Sequence, residues 1–239
     1  SGGMNPILSG VVFSAAIMTV LGLHEMGHKL TANKNKVEAT SPYFIPGPPP
    51  LGTLGAVIMQ KSLPPNRDAL FDIGANGPIA GFMIAFVFSV IGMILPMTPT
   101  YVPPNTGLGM PLVWIPLQEI LLKPPVPPNN GWIPNPVLWA AWAGMLVTML
   151  NLLPAAMLDG GHVAKSLVPD KLRYVLTIVS VAILVLSGPQ FMLFAFIVIF
   201  MSFFKHPGPL DDVSSVSIGR KLATIALVAI FVMSFPIPV

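Results

Sequence analysis

Long apolar runs dominate this chain, separated by short polar clusters. Crossing a bilayer takes roughly 20 mostly apolar residues. Ile7–Leu30, Ala69–Leu95, Pro136–Leu153 and Lys221–Pro236 are candidate spans by that measure. A further apolar stretch is divided by Ser187-Gly188-Pro189 into Leu172–Leu186 and Pro189–Phe204, a hairpin of two more. Met110–Leu122 is apolar but too short to cross, and reads as an interfacial or partly inserted piece. Between the first two spans the pattern changes. Val37–Ile45 and Leu51–Gln60 read as two short strands around Pro46-Gly47-Pro48-Pro49-Pro50, a segment too apolar for a solvated loop. The expected fold class is an all-α integral membrane protein of about six transmembrane helices. A small re-entrant β-hairpin is expected between the first two.

Composition agrees with that pattern. Of 239 residues 54% are apolar and only 9% charged, and the mean hydropathy is +0.78. A water-facing surface cannot be covered with so few charges. A soluble domain, a disordered chain and a nucleic-acid binder are therefore set aside. There is no cysteine, hence no disulfide framework, thiol nucleophile or cysteine zinc site. Proline occurs 28 times, more than twice its usual roughly 5%. It concentrates in 42–50 and in an insertion at 96–136. Ser1-Gly2-Gly3 ahead of Met4 reads as an expression scar. Residues 4–168 are expected to form one transmembrane core that includes the β segment 37–60 and the insertion. Residues 169–239 supply further C-terminal spans, and the Lys205–Arg220 loop, rich in glycine, proline and serine, could let the last of them swing as a gate.

The few charges report orientation. With six spans, Lys29, Lys34, Lys36, Lys61, Arg67, Lys165, Lys171, Arg173, Lys205, Arg220 and Lys221 fall on one side, and only Lys123 opposite. By the positive-inside rule that side is cytoplasmic and both termini lie across the membrane from it. Trp114, Trp132, Trp139 and Trp142 accompany the outer proline-rich segment, as an interfacial belt would.

His24-Glu25-Met26-Gly27-His28 is an H-E-x-x-H motif. Helical i, i+4 spacing sets His24 and His28 one turn apart on one face, where two neutral imidazoles can bind Zn²⁺. Glu25, one position round, can act as general base. The uncharged run Ile7–Leu23 lifts the motif roughly 26 Å into a core about 30 Å thick. It should therefore lie inside the membrane, near the cytoplasmic boundary, where charge is expensive and usually functional. A catalytic zinc needs a third protein ligand. Asp159, in Asn151-Leu152-Leu153-Pro154-Ala155-Ala156-Met157-Leu158-Asp159-Gly160-Gly161-His162, returns to the same side; His162 is its rival. His206, in a Lys-His-Pro loop, reads as solvated.

Together the two motifs resemble the site-2 protease family of intramembrane zinc metalloproteases. That family pairs a membrane-embedded H-E-x-x-H with a downstream N-x-x-P-x-x-x-x-D-G, here Asn151 to Gly160. Gly74-Ala75-Asn76-Gly77-Pro78 looks like its glycine-rich element on the middle core helix. The resemblance covers roughly Ile7 to Leu167, in a minimal form without an inserted PDZ or CBS-type domain. It implies one Zn²⁺ per chain held by His24, His28 and Asp159. Glu25 would then be the catalytic base and Asn151 would contact substrate backbone. Membrane-spanning proteins in the bilayer would be the substrates.

A spanning substrate must unwind to expose a peptide bond, and its freed amides cost several kcal/mol each in lipid unless caught. An exposed strand edge catches them. Leu51 to Ile58 is the candidate edge, with Gly52, Thr53, Leu54 and Gly55 at its centre, and a structural hairpin is the bland alternative. Asn76 or Asn151 could supply an oxyanion donor. A prenyl-protein-protease-like hydrolase is the first competing function. Its third ligand is typically a downstream Glu, and Glu38 and Glu119 are the later candidates. A metal transporter is a more distant one, lacking a second intramembrane polar site. Oligomeric state stays open.

Overall fold

The computed structural model describes residues 5–46, 53–101, 109–122, 130–204 and 206–237. Asparagine sets the start of three helices. Helix α1 (Pro6–Lys34) begins where the Asn5 side chain accepts the Ile7 N–H at 2.9 Å, with proline at the first helical position. Asn66 caps α2 (Arg67–Ile94) through Ala69 at 2.9 Å. Asn135 caps α4 (Pro136–Asn151) through Leu138 at 3.0 Å and donates across to the Gly92 carbonyl. Between α2 and α4 lies the short α3 (Trp114–Leu121). Then follow α5 (Asp159–Leu167), α6 (Asp170–Leu186), α7 (Met192–Ser202, after a 3-10 turn at Pro189–Phe191) and α8 (Ile218–Ser234).

The described residues are mostly helical, with three two-stranded antiparallel ladders. β1 (Tyr43–Pro46) pairs β2 (Thr53–Val57) with Tyr43 opposite Val57 and a register shift at Ile45/Pro46. This is the expected hairpin, and a separate antiparallel bridge between Ala39 and Gln60 lies beyond it. β3 (Thr98–Tyr101) pairs β5 (Asn130–Ile133), closing the base of the proline-rich insertion. β4 (Met110–Pro111) pairs β6 (Pro236–Ile237), fastening that insertion to the far end of α8.

Helices α1 and α2 are long and apolar enough to cross a membrane. Pro136–Asn151 and Pro189–Ser202 are apolar but shorter, and α6 and α8 have 17 residues each. At 1.5 Å per residue such a helix reaches about 26 Å, just short of a core about 30 Å thick. Six spans were expected; two are long and apolar enough by themselves.

Small residues set the packing. Between lipid-embedded helices there is no hydrophobic drive, so close approach must supply the attraction. On α2 a methyl at Gly81 would meet His24, and one at Gly92 would meet Leu138. On α4 a methyl at Gly144 would meet Val20 and Ala85. These contacts run α1 and α4 antiparallel to α2, with Ala140, Ala141, Ala143 and Met145 fully enclosed. Large apolar side chains such as Leu8, Met83, Phe196 and Val228 point outward, as lipid-facing positions do.

One expectation is corrected here. Trp114 is no interfacial anchor: it is 5% exposed and its indole donates to Ser89 Oγ at 2.8 Å, beside Met93 and Leu138. Trp142 donates to the Gly109 carbonyl at 2.9 Å and meets Trp139 edge-on; the Trp132 side chain lies outside the described residues. The α7–α8 loop folds back onto the ends of other helices. Leu210 and Asp211 donate to the Pro64 and Pro65 carbonyls. Asp212 joins Arg67 at 3.0 Å and Lys165 at 2.9 Å, and Arg220 joins Asp68 and Asp72. Residues 206–217 thus strap α8 to the first turn of α2 and the last turn of α5.

Candidate metal centre

The H-E-x-x-H residues lie on α1 where it crosses the glycine stripe of α2. His24, Glu25 and His28 are buried, with their ligand atoms within 4.8 Å of one another. Gly77 and Gly81 face the two imidazoles, and Gly74 faces His162 and the Asp159 backbone. A methyl at Gly77 would overlap the His28 ring, so the flat stripe is a condition of the site. Gly77 and Gly81 stand four residues apart on α2. Adding Gly74 at i−3 completes one helical face, and that pattern was legible.

Asp159 reaches the same point from the opposite direction. Residues 152–158 turn the chain back after α4 through Ala156, held at φ 47°, a left-handed conformation uncommon for a residue with a side chain. The Ala156 N–H donates to Thr177 Oγ1 at 3.2 Å, which ties the turn to α6. Gly160 and Gly161 lie against the carbonyls of Leu152, Leu153, Ala155 and Ala156, leaving no room for a Cβ. The double glycine therefore lets α5 start tight against this turn, and its first residue projects Asp159 between the histidines. Oδ2 lies 3.1 Å from His24 Nε2 and Oδ1 lies 3.2 Å from His28 Nε2. The two rings are 5.0 Å apart at 66°.

A second contact orients His28. Its Nδ1 donates to the Ile73 carbonyl at 2.6 Å, which leaves the Nε2 lone pair turned toward Asp159. Outer hydrogen bonds of this kind fix the tautomer of a metal-binding histidine. Glu25 accepts the Ile58 backbone N–H, just past β2. The hairpin therefore lies along α1 beside the motif, with Ala56 packed on Ile17 and Leu21. Neither Ile73 nor Ile58 stood out in the sequence, because both act through the backbone.

Two imidazole nitrogens and a carboxylate converging around one point form a donor set suited to Zn²⁺. Of the two sequence candidates for the third ligand, Asp159 faces the histidines, while His162 turns its Nδ1 toward His206 at 2.8 Å. His206, expected to be solvated, is 4% exposed. Asn151 closes α4, half-buried. Asn76 donates to its own helix at the Asp72 carbonyl and lines an α1–α2 groove with Gly27 and Thr31. Thr53, Leu54 and Gly55 lie in β2, and Gly52 is outside the described residues.

Apolar helices enclosing an H-E-x-x-H pair and a distant aspartate define a membrane metalloprotease class of site. Residues 12–187 match the family model described as Peptidase family M50. The chain belongs to this family, the site-2 proteases. Among curated relatives, a rice protein described as "Probable zinc metalloprotease EGY2, chloroplastic" is 29% identical over 95% of this chain and 43% of its own length. Its Arabidopsis thaliana counterpart is 33% identical over 80% of this chain and 34% of its own. "Probable zinc metalloprotease EGY1, chloroplastic" from Arabidopsis is 30% identical over 92% and 42%. The chain thus spans less than half the length of these relatives. No solved structure matches it.

Proposed function

We propose that this chain is an intramembrane zinc endopeptidase that cuts peptide bonds in or near transmembrane segments of membrane-anchored proteins. The observation that carries the reading is the Asp159 carboxylate lying between His24 Nε2 and His28 Nε2, at 3.1 and 3.2 Å. His24, His28 and Asp159 are the proposed ligands of one Zn²⁺. When bound there, zinc supplies an acidified water and polarises the scissile carbonyl.

The chain's own residues do the rest. Glu25 takes the proton of the attacking water and delivers it to the leaving amine. Its hydrogen bond from Ile58 holds the carboxylate in place beside β2. The outer edge of β2 pairs with the unwound substrate and satisfies its freed amides. Asn151 is the proposed contact to substrate backbone, and Asn76 or Asn151 the oxyanion donor. Residues 4–168 form the catalytic core and 169–239 flank it as C-terminal transmembrane helices that could gate substrate entry, in a multi-pass protein whose site faces the cytoplasmic side. Both termini lie across the membrane from it. A prenyl-protein-protease-like hydrolase would want a downstream glutamate in place of Asp159, and Asp159 fills that position.

The test is cleavage of a model membrane-spanning peptide in proteoliposomes, read beside zinc content. Glu25→Gln should keep about one zinc per chain and lose cleavage by about a thousandfold or more. Asp159→Ala should lose both. Wild-type cleavage by the Gln variant would overturn the base assignment, and full zinc in the Ala variant would overturn the ligand set.

A further inference from the structure

His206 is buried and His162 half-buried; the proposed chemistry has no use for either, yet they touch. His206 lies in the strap, 4% exposed. Its ring meets that of His162 edge-on, centroids 4.7 Å apart. The Gly208 backbone N–H donates to His206 Nδ1 at 3.1 Å, so Nδ1 carries no proton. Burial, with His162, Arg173 and Lys165 close by and only Asp170 opposing, pushes this imidazole down to about 3. The ring is therefore neutral, with its one proton on Nε2. That proton is donated to His162 Nδ1 at 2.8 Å, which assigns the ring proton of a neutral His162 to its own Nε2.

His162 lies three residues beyond Asp159, on the same side of α5. Its backbone N–H caps the Leu158 carbonyl at 2.9 Å, and its Cβ lies against Gly74. One turn further on, Lys165, 7% exposed, bonds Asp212 of the strap at 2.9 Å. Gly208, at φ 71°, leaves space for that lysine's stem. The strap thus grips α5 at two successive turns, once through neutral imidazoles and once through an ion pair.

We propose that His206 is a positioning residue. Through its Nε2–H bond to His162 it fixes the first turns of α5, and so holds the Asp159 carboxylate between His24 and His28. The proposal rests on Asp159 being a metal ligand. It makes the α7–α8 strap part of the metal site's support, though no strap residue touches the site.

The assignment of protons gives an asymmetric test. At 206 a Gln amide reaches as far as Nε2 and can donate, an Asn amide stops at Nδ1, and Leu fills similar volume with no donor. Zinc release to a chelator should stay within about threefold of wild type for His206→Gln. It should be faster by about tenfold or more for His206→Asn and His206→Leu, the size of effect expected from outer-shell partners. Histidine-¹⁵N-labelled, zinc-free protein at neutral pH should show His206 protonated on Nε2 alone. Asp159→Asn is the control. If it loses zinc while the Leu and Asn variants of His206 release zinc at the wild-type rate, the positioning role is overturned and the ligand set stands. If it retains zinc, the ligand reading itself fails, and this role with it. Should His206→Leu not fold, the Gln–Asn comparison decides. A proton on His206 Nδ1 would overturn the proposal directly.

Discussion

At the scale of single residues, this site depends as much on missing atoms as on present ones. Gly77 and Gly81 face the imidazoles of His28 and His24, and Gly160 and Gly161 face carbonyls of the preceding turn. Alanine within a helix is ordinarily more stable than glycine by about 0.5–1 kcal/mol. That gain should appear at Gly10, where a Cβ meets nothing within 4 Å. At Gly77 the sign should reverse, because the methyl occupies the space of the His28 ring; overpacking of this kind costs about 1–3 kcal/mol. Thermal unfolding in detergent should rank Gly10→Ala above wild type and Gly77→Ala below it, with zinc lost only from the latter. The proposed ligands stand in motifs visible at this scale, since H-E-x-x-H and the D-G pair are local patterns of chemistry. The backbone partners Ile73 and Ile58 were not legible, because an amide or carbonyl carries no sequence signature. His206 was misread for a related reason. A histidine between lysine and proline looks solvated until a second segment covers it.

At the scale of elements, hydrophobic runs located the long helices well, and the asparagine caps fall where the runs begin. The strands were placed, but their pairing is interrupted: β1 and β2 pair over Tyr43–Pro46 and Thr53–Val57, and a separate antiparallel bridge joins Ala39 to Gln60. Helix α5 was not foreseen: nine residues containing two glycines carry little helical signal, and its stability comes from the turn beneath it. The proposed role of β2 is argued here. Among the described residues its sheet has two strands, so one edge of β2 carries unpaired backbone groups. Proline at Thr53 or Gly55 removes an N–H from this strand. Cleavage of the model peptide should fall by about tenfold with zinc content unchanged, the loss of roughly one or two backbone hydrogen bonds. Unchanged cleavage in both variants would leave the hairpin a structural plug.

At the scale of the whole molecule, the strap joins α8 to α2 and α5, and its grip should depend on pH. Detached, His206 would return to an ordinary value near 6.5, whereas docked it is held at about 3 by burial first and by nearby His162, Arg173 and Lys165 second. Between those values the free strap binds a proton that the docked strap excludes. Docking should therefore weaken as pH falls below about 6.5 and be unaffected above it. Asp212 acts lower in the range. Burial alone would raise it, but hydrogen bonds from Lys165 and Arg67 hold it below the usual carboxylate value. Its contribution is present above about pH 4 and is lost as pH falls further. The chain has no cysteine, so a single spin label at Ser215→Cys reports the strap alone. Its mobility should be flat from about pH 7 to 9 and rise below about 6.5. In His206→Gln the rise should begin only near about pH 4. Mobility unchanged down to pH 4 in both proteins would rule out histidine control.

What the sequence determined by itself was local in character: which runs are apolar enough to form buried or lipid-facing helices, and which side chains are able to bind a metal. Both follow from composition and spacing within a few turns. Tertiary structure decided the rest. It set Asp159 rather than His162 against His24 and His28, because the turn at Ala156 and the paired glycines aim one of them there and leave the other to His206. It also turned a polar-looking loop into a strap, because Asp212, Arg67 and Lys165 come from three distant segments whose charges pair only once the helices have packed.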